Sequence, residues 1–94
     1  MLTDFHSHIL PGMDDGSADV TMSLEMLRWE ELQGIARVVA TPHFYARYED
    51  PQRFLQRREQ AEQKLRAAMA DQSDMPELLM GAEVHYFPEE KNKN

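Results

Sequence analysis

A chain of 94 residues, 41% hydrophobic and 29% charged, has the composition of one small globular domain and not of a disordered segment. It contains no cysteine, which excludes a disulfide framework, a thiolate metal site and a cysteine nucleophile. A formal net charge of −7 argues against non-specific nucleic-acid binding, and it would repel a phosphorylated substrate unless cations sit in the site.

Leu2 to Ser7 reads as a short first strand, with Leu2, Phe5 and Ile9 as the apolar members around it. The start, Met1-Leu2-Thr3-Asp4, lacks the basic and apolar regions of a signal peptide. No apolar run approaches the ~18 residues needed to span a bilayer. The expectation is a cytoplasmic protein without membrane insertion. Leu10-Pro11-Gly12-Met13-Asp14-Asp15-Gly16 is a loop punctuated by Pro and Gly. Ser17 or Asp19 could cap the helix that follows from Val20 to Gln33, where Val20, Leu24, Met26 and Leu27 give a partial apolar stripe. Gly34 is placed to stop it. Ile35 to Ala40 is a β-branched run of the kind found in buried strands. Thr41-Pro42-His43 ends it, and Phe44 to Asp50 is a loop.

A clearer helix runs from Pro51 to about Ala70, capped by Asp50, with Phe54, Arg58, Ala61, Leu65 and Ala68 on one face. After a loop, Leu78 to Val84 reads as a third strand. The order strand, helix, strand, helix, strand specifies an α/β fold with a short parallel sheet, since parallel strands need crossovers that helices supply. From about Phe87 the chain turns abruptly polar and ends Lys91-Asn92-Lys93-Asn94. Trp29 is expected at a helix–sheet contact, and the charged residues of the second helix form a solvated face.

The four histidines, His6, His8, His43 and His85, all fall at or just past strand ends. In parallel α/β folds, sites are built at the carboxyl ends of strands. Two residues apart on a strand, His6 and His8 share a face, and two neutral imidazoles there can grip a divalent metal. Without further support they are equally well two polar residues at a strand end. Asp14-Asp15-Gly16 adds carboxylates, although Asp-Asp-Gly is also common turn chemistry. Glu83 lies inside an otherwise apolar run, where an unpaired charge is expensive to bury unless a metal or cation offsets it. His85 shares a strand face with Glu83 but lies further out. Tyr45, Arg47 and Tyr48 follow His43 and could line a phosphate or aryl pocket, as loop residues often do.

The run His6-Ser7-His8-Ile9-Leu10-Pro11-Gly12-Met13-Asp14-Asp15-Gly16 closely resembles the first motif of the bacterial protein-tyrosine phosphatases of polymerase-and-histidinol-phosphatase (PHP) type, the CpsB, CapC and YwqE group of capsule and exopolysaccharide operons. Ala40-Thr41-Pro42-His43 resembles the second motif, and Gly81-Ala82-Glu83 followed by Tyr86 the third. The resemblance runs to about residue 88. It implies a partial (β/α) barrel of the PHP type, with His6, His8, Asp15, His43 and Glu83 as metal ligands and Glu83 as a bridge. Asp15 is preferred to Asp14 because the second Asp of the pair matches the family ligand, and His85 is not carried over. The implied cofactor is manganese, two or three ions in a complete member, with iron or zinc as alternatives. The implied reaction is hydrolysis of phosphotyrosine by a metal-activated water, on the tail of a bacterial tyrosine kinase, in the control of capsule synthesis.

Members of the family are longer than this chain. The expectation is therefore an N-terminal part of a PHP phosphatase domain over 1–94, truncated, with an open sheet edge able to self-associate. The phosphate-binding arginines are expected beyond the chain end. Two other readings stay open: a catalytically incomplete remnant that binds metal, and another phosphoesterase of the superfamily, such as one acting on histidinol phosphate.

Overall fold

Both helices start where the sequence supplies a cap. The computed structural model describes residues 1–86, so the expected polar tail from about residue 87 lies outside the described residues. The elements are β1 (Leu2–Ser7), α1 (Val20–Leu32), β2 (Ile35–Ala40), β3 (His43–Tyr45), α2 (Pro51–Met69), β4 (Glu77–Met80) and β5 (Glu83–His85). Asp19 caps α1 by accepting a hydrogen bond from the Met22 N–H at 2.9 Å. Asp50 does the same for α2 through Arg53 at 3.1 Å, with Pro51 in the first turn. Gly34, at φ 86°, follows the end of α1, a backbone conformation that costs glycine little.

Ser17 takes a different part from the cap. It is fully buried and shares a 2.6 Å hydrogen bond with Ser23, which donates at 2.6 Å to the Ile9 carbonyl. This buried pair ties the first turn of α1 to the loop that follows β1. The loop is closed further by backbone hydrogen bonds from Ser17 to His8 at 3.0 Å and from Gly12 to Ser17 at 2.9 Å.

β1, β2 and β4 form a parallel sheet in the order β1-β2-β4. Two strands differ from the sequence reading. The expected third strand, Leu78 to Val84, is broken at Gly81-Ala82 into β4 and β5. The expected loop from Phe44 to Asp50 begins with residues of β3, which pairs with β5 in parallel, His43 facing Glu83 and Tyr45 facing His85. The cause is Pro42, which lacks an N–H and interrupts the ladder. The two strands nevertheless stay locked across the break, because Gly81 donates to Ala40 at 2.7 Å and Glu83 to Pro42 at 2.9 Å.

The core is small. Ile9, Leu10, Leu27, Val38, Ala40, Ala61, Leu65 and Leu78 are buried together between the helices and one face of the sheet. Ile9 and Leu10 reach it from the loop after β1, so that loop is anchored at its base. The face of α2 follows the expected spacing, with Phe54, Ala61 and Leu65 buried. Arg58, on the same face, lies over the Phe54 ring and donates to the Gly81 carbonyl at 2.8 Å, holding the β4–β5 break. Trp29 is not a helix–sheet contact: it is 66% exposed, because α1 turns Leu27 and Ser23 inward instead. Phe5 and Leu79 are likewise exposed. No helix among the described residues is long and apolar enough to cross a membrane.

Gly16 is required by contact. A Cβ there would stand 2.3 Å from the His8 carbonyl oxygen and 2.4 Å from the His8 Cβ. Gly16→Ala must therefore displace backbone beside His8, and the expected loss of stability is about 1–3 kcal/mol, read from urea unfolding of the variant against the parent chain.

Candidate metal centre

The carboxyl ends of β1 and β2 and the short β3–β5 pair bring His6, His8, His43, Glu83 and His85 to one edge. The register explains the grouping. Residues two apart on a strand share a face, so His43 and Tyr45 on β3 look the same way as Glu83 and His85 on β5. His6 comes from the end of β1, and His8 lies one residue beyond that strand. Their rings meet edge to face, with centroids 5.0 Å apart.

Glu83 is the focus. One carboxylate oxygen, Oε1, lies 2.7 Å from His6 Nε2, 3.1 Å from His8 Nε2 and 3.7 Å from His43 Nδ1. The other, Oε2, lies 3.1 Å from His85 Nε2. The hydrogen bond from His6, with the nearby His43, His6 and His8 charges, outweighs burial and holds the Glu83 carboxyl below its ordinary range.

The two aspartates of the loop part company. Asp14 has both oxygens engaged: Oδ2 accepts from His8 Nδ1 at 2.9 Å and from the His43 N–H at 3.2 Å, and Oδ1 accepts from the Gly16 N–H at 3.0 Å. Its side chain is only 7% exposed. Asp15 is 91% exposed and stands 3.9 Å from His43 Nε2. Asp14 therefore fixes the ring plane of His8 and turns its Nε2 toward Glu83, an arrangement in which a carboxylate behind an imidazole orients it for an ion in front. Asp15 keeps an oxygen able to reach an ion.

The donor set fits a divalent cation. Three groups, His6–His8–Glu83, His8–Asp15–His43 and His43–Glu83–His85, each have ligand atoms within 4.8 Å of one another. Nitrogen-rich sites with one or two carboxylates suit a first-row transition ion better than calcium or magnesium. All five residues singled out from the sequence, His6, His8, Asp15, His43 and Glu83, stand in these groups.

Of three features beside them, sequence reasoning missed Arg57 and gave Asp14 and Tyr45 other parts. The sequence offers Asp14 as a carboxylate set behind Asp15, and the structure makes it the group that orients His8. Tyr45 stacks on both His43 and His85, at centroid distances of 5.5 and 4.9 Å. The sequence offers Tyr45 as a pocket-lining loop residue; the stack itself was hidden by an unrecognised strand, for the period of two in His43-x-Tyr45 puts both rings on one face. Arg57 lines a cleft of about 280 Å³ together with Met13, Asp14, Asp15, His43, Tyr45 and Glu49. Its Nε is 3.4 Å from Glu49, while its Nη1 is buried and has no hydrogen-bond partner among the described residues.

The Asp14–His8 pair carries a pH signature in the metal-free chain. The hydrogen bond to Asp14 raises His8 above its ordinary 6.5, against the lowering effect of burial. Burial would raise Asp14 above its ordinary 3.8, but hydrogen bonds from His8, Gly16 and His43 bring it below. His8 stabilises the fold below 6.5 and loses that contribution as pH rises through its higher folded value. Asp14 stabilises it above 3.8 and loses that contribution as pH falls through its lower folded value. After chelator treatment, Asp14→Asn should therefore cost more stability at about pH 5 than at about pH 8 by urea unfolding. An equal cost at both would show that the pair is not ionic.

The chain is similar to known proteins in sequence and in fold. The sequence pattern of a family described as capsular polysaccharide synthesis, CpsB/CapC, matches residues 2–93. The tyrosine-protein phosphatase YwqE of Bacillus subtilis (strain 168) is 52% identical over 42 residues, 45% of this chain and 16% of YwqE. CapC of Staphylococcus aureus, provisionally named a tyrosine-protein phosphatase, is 36% identical over 42 residues, again 45% of this chain and 16% of the relative. A chain from the crystal structures of YwqE from Bacillus subtilis and CpsB from Streptococcus pneumoniae, described as unique metal-dependent tyrosine phosphatases, shares this fold at a TM-score of 0.73 and 32% identity. That match covers 96% of this chain and 36% of the other, so the parallel strands and crossover helices form a partial (β/α) barrel of the PHP type. Matched in pattern over nearly its whole length and in fold over nearly all its residues, the chain belongs to the CpsB/CapC family of capsular polysaccharide synthesis.

Proposed function

We propose that the chain is the metal-binding portion of a metal-dependent protein-tyrosine phosphatase, with His6, His8, Asp15, His43 and Glu83 as ligands and manganese as the ion. The observation that carries this reading is the convergence of His6, His8 and His85 on the two oxygens of Glu83 at 2.7–3.1 Å. The substrate class is a phosphotyrosine protein, with a bacterial tyrosine kinase of capsule synthesis as the partner and the cytoplasm as the setting. The names of the relatives support the reaction, and the family description supports the pathway.

Bound divalent ions supply Lewis-acid polarisation of a phosphoryl oxygen and make water acidic enough to act as a nucleophile near neutral pH. The chain's own residues do the rest. Asp14 holds the His8 ring so that its Nε2 points toward Glu83. Tyr45 presents an aromatic wall beside His43, suited to the ring of a phosphotyrosine. Arg57 lines the cleft as a cation, a charge suited to a phosphoryl oxygen. With a net charge of −7, the chain depends on such cations to admit an anion at all.

The test is hydrolysis of a phosphotyrosine peptide by the purified 94-residue chain with and without Mn²⁺, using His6→Ala as the control. The expected result is turnover that needs Mn²⁺, is abolished by a chelator and vanishes in the variant. Turnover equal in the two proteins would sink the metal assignment, and none in either would sink catalysis by this chain. Arg57→Ala should raise KM for the peptide more than it lowers kcat, since it removes binding to an oxygen present in substrate and transition state alike.

A further inference from the structure

His85 is a histidine that the sequence motifs leave aside, yet it stands among the donors. It faces Tyr45 across the parallel pair and shares a face with Glu83. Its Nε2 lies 2.9 Å from His43 Nδ1 and 3.1 Å from Glu83 Oε2, and His43 Nδ1 lies 3.7 Å from Glu83 Oε1. An ion with bonds of about 2.1 Å has neighbouring ligands about 3.0 Å apart when octahedral and about 3.4 Å apart when tetrahedral. The three separations bracket those edges. His43, His85 and Glu83 therefore already stand at the spacing of neighbouring ligands, two imidazoles and a carboxylate.

The bookkeeping of lone pairs decides which groups can fill together. A neutral imidazole has one nitrogen lone pair to give, whereas a carboxylate has two oxygens. The His6–His8–Glu83 and His8–Asp15–His43 groups compete for His8. The His8–Asp15–His43 and His43–Glu83–His85 groups compete for His43. The first and third groups share only Glu83, whose Oε1 faces His6, His8 and, at 3.7 Å, His43, while its Oε2 faces His85. These two can be occupied at once, and Asp15, 3.9 Å from His43 Nε2, is the ligand of the alternative position that shares His8 and His43 with them. Tyr45, stacked on His85 at 25° and on His43 at 15° between ring planes, holds both rings in the required attitude.

We propose that His85 is a metal ligand, forming with His43 and Glu83 a position for a first-row transition ion beside the His6–His8–Glu83 group. The inference rests on the metal-dependent reading above but concerns stoichiometry, which can be read without turnover. With two nitrogen donors, the second position favours zinc, cobalt or iron over magnesium or calcium.

The test uses the chelator-stripped 94-residue chain, titrated with Co²⁺ by visible absorbance and loaded with Zn²⁺ for elemental analysis after desalting. The expected result is two equivalents bound by the parent chain and one by His85→Ala and by His85→Gln, with the second Co²⁺ step weakened more than about 100-fold. His6→Ala should instead lose the other equivalent. Circular dichroism of His85→Gln, which keeps a polar side chain at a partly exposed strand end, guards against loss of fold. Two equivalents at unchanged affinity in both His85 variants, or a parent chain that binds only one, would overturn the proposal. Two ions bound without phosphotyrosine hydrolysis would sink the phosphatase reading alone, whereas hydrolysis with His85→Gln binding as the parent does would sink this one alone.

Discussion

The position of the Glu83 carboxylate governs the rest of the site, and the parallel pairing of β3 with β5 sets that position. Three imidazoles lie within 3.1 Å of its oxygens and a fourth at 3.7 Å. Glu83 reaches them because it faces His43 directly in the register, two strands that Pro42 and Gly81-Ala82 interrupt but do not separate. A one-residue slip would turn Glu83 and His85 to the opposite face and leave the imidazoles facing Val84. Arg58 helps to prevent that slip from the helix side, since its hydrogen bond to the Gly81 carbonyl pins the break between β4 and β5.

The loop after β1 is the second determinant. It is short, closed by backbone hydrogen bonds and anchored by the buried side chains of Ile9 and Leu10. The Ser17–Ser23 pair fastens it to α1, and each hydroxyl has a partner, so the polar pair is buried without an orphaned group. This rigidity lets two adjacent aspartates differ so much. Asp14 is turned inward and saturated with hydrogen bonds, while Asp15 faces outward with an oxygen to spare. Gly16 permits the turn because any side chain there would collide with His8.

Electrostatics then follows from composition. An acidic chain concentrates carboxylates at the edge where it also concentrates imidazoles, a poor environment for an anion until cations enter. Arg57 is the chain's own contribution of positive charge to the adjoining cleft, held by Glu49 and left with one donor unsatisfied. The sequence reading looked for arginines further on in the family pattern and passed over this one, since on a helix rich in Arg, Glu and Gln it reads as one more solvated charge.

What the sequence determined by itself is considerable. The two helices, their aspartate caps, the Gly34 stop and the α/β order follow from local rules that act within a few residues: capping, glycine's tolerance of positive φ and helical spacing. Spacing alone put the motif histidines and Glu83 at one edge, and their part as ligands was implied by the resemblance of the three motifs to the family's. Tertiary structure decided the rest. The break at Pro42, the appearance of β3 and the split of the third strand depend on a neighbouring strand supplying hydrogen bonds, which no local pattern records. So do the division of labour between Asp14 and Asp15, the exposure of Trp29 and the approach of His85 to His43. The strand pairings and the approach of His85 to His43 join residues far apart in the chain, and their energy exists only once the register has been set.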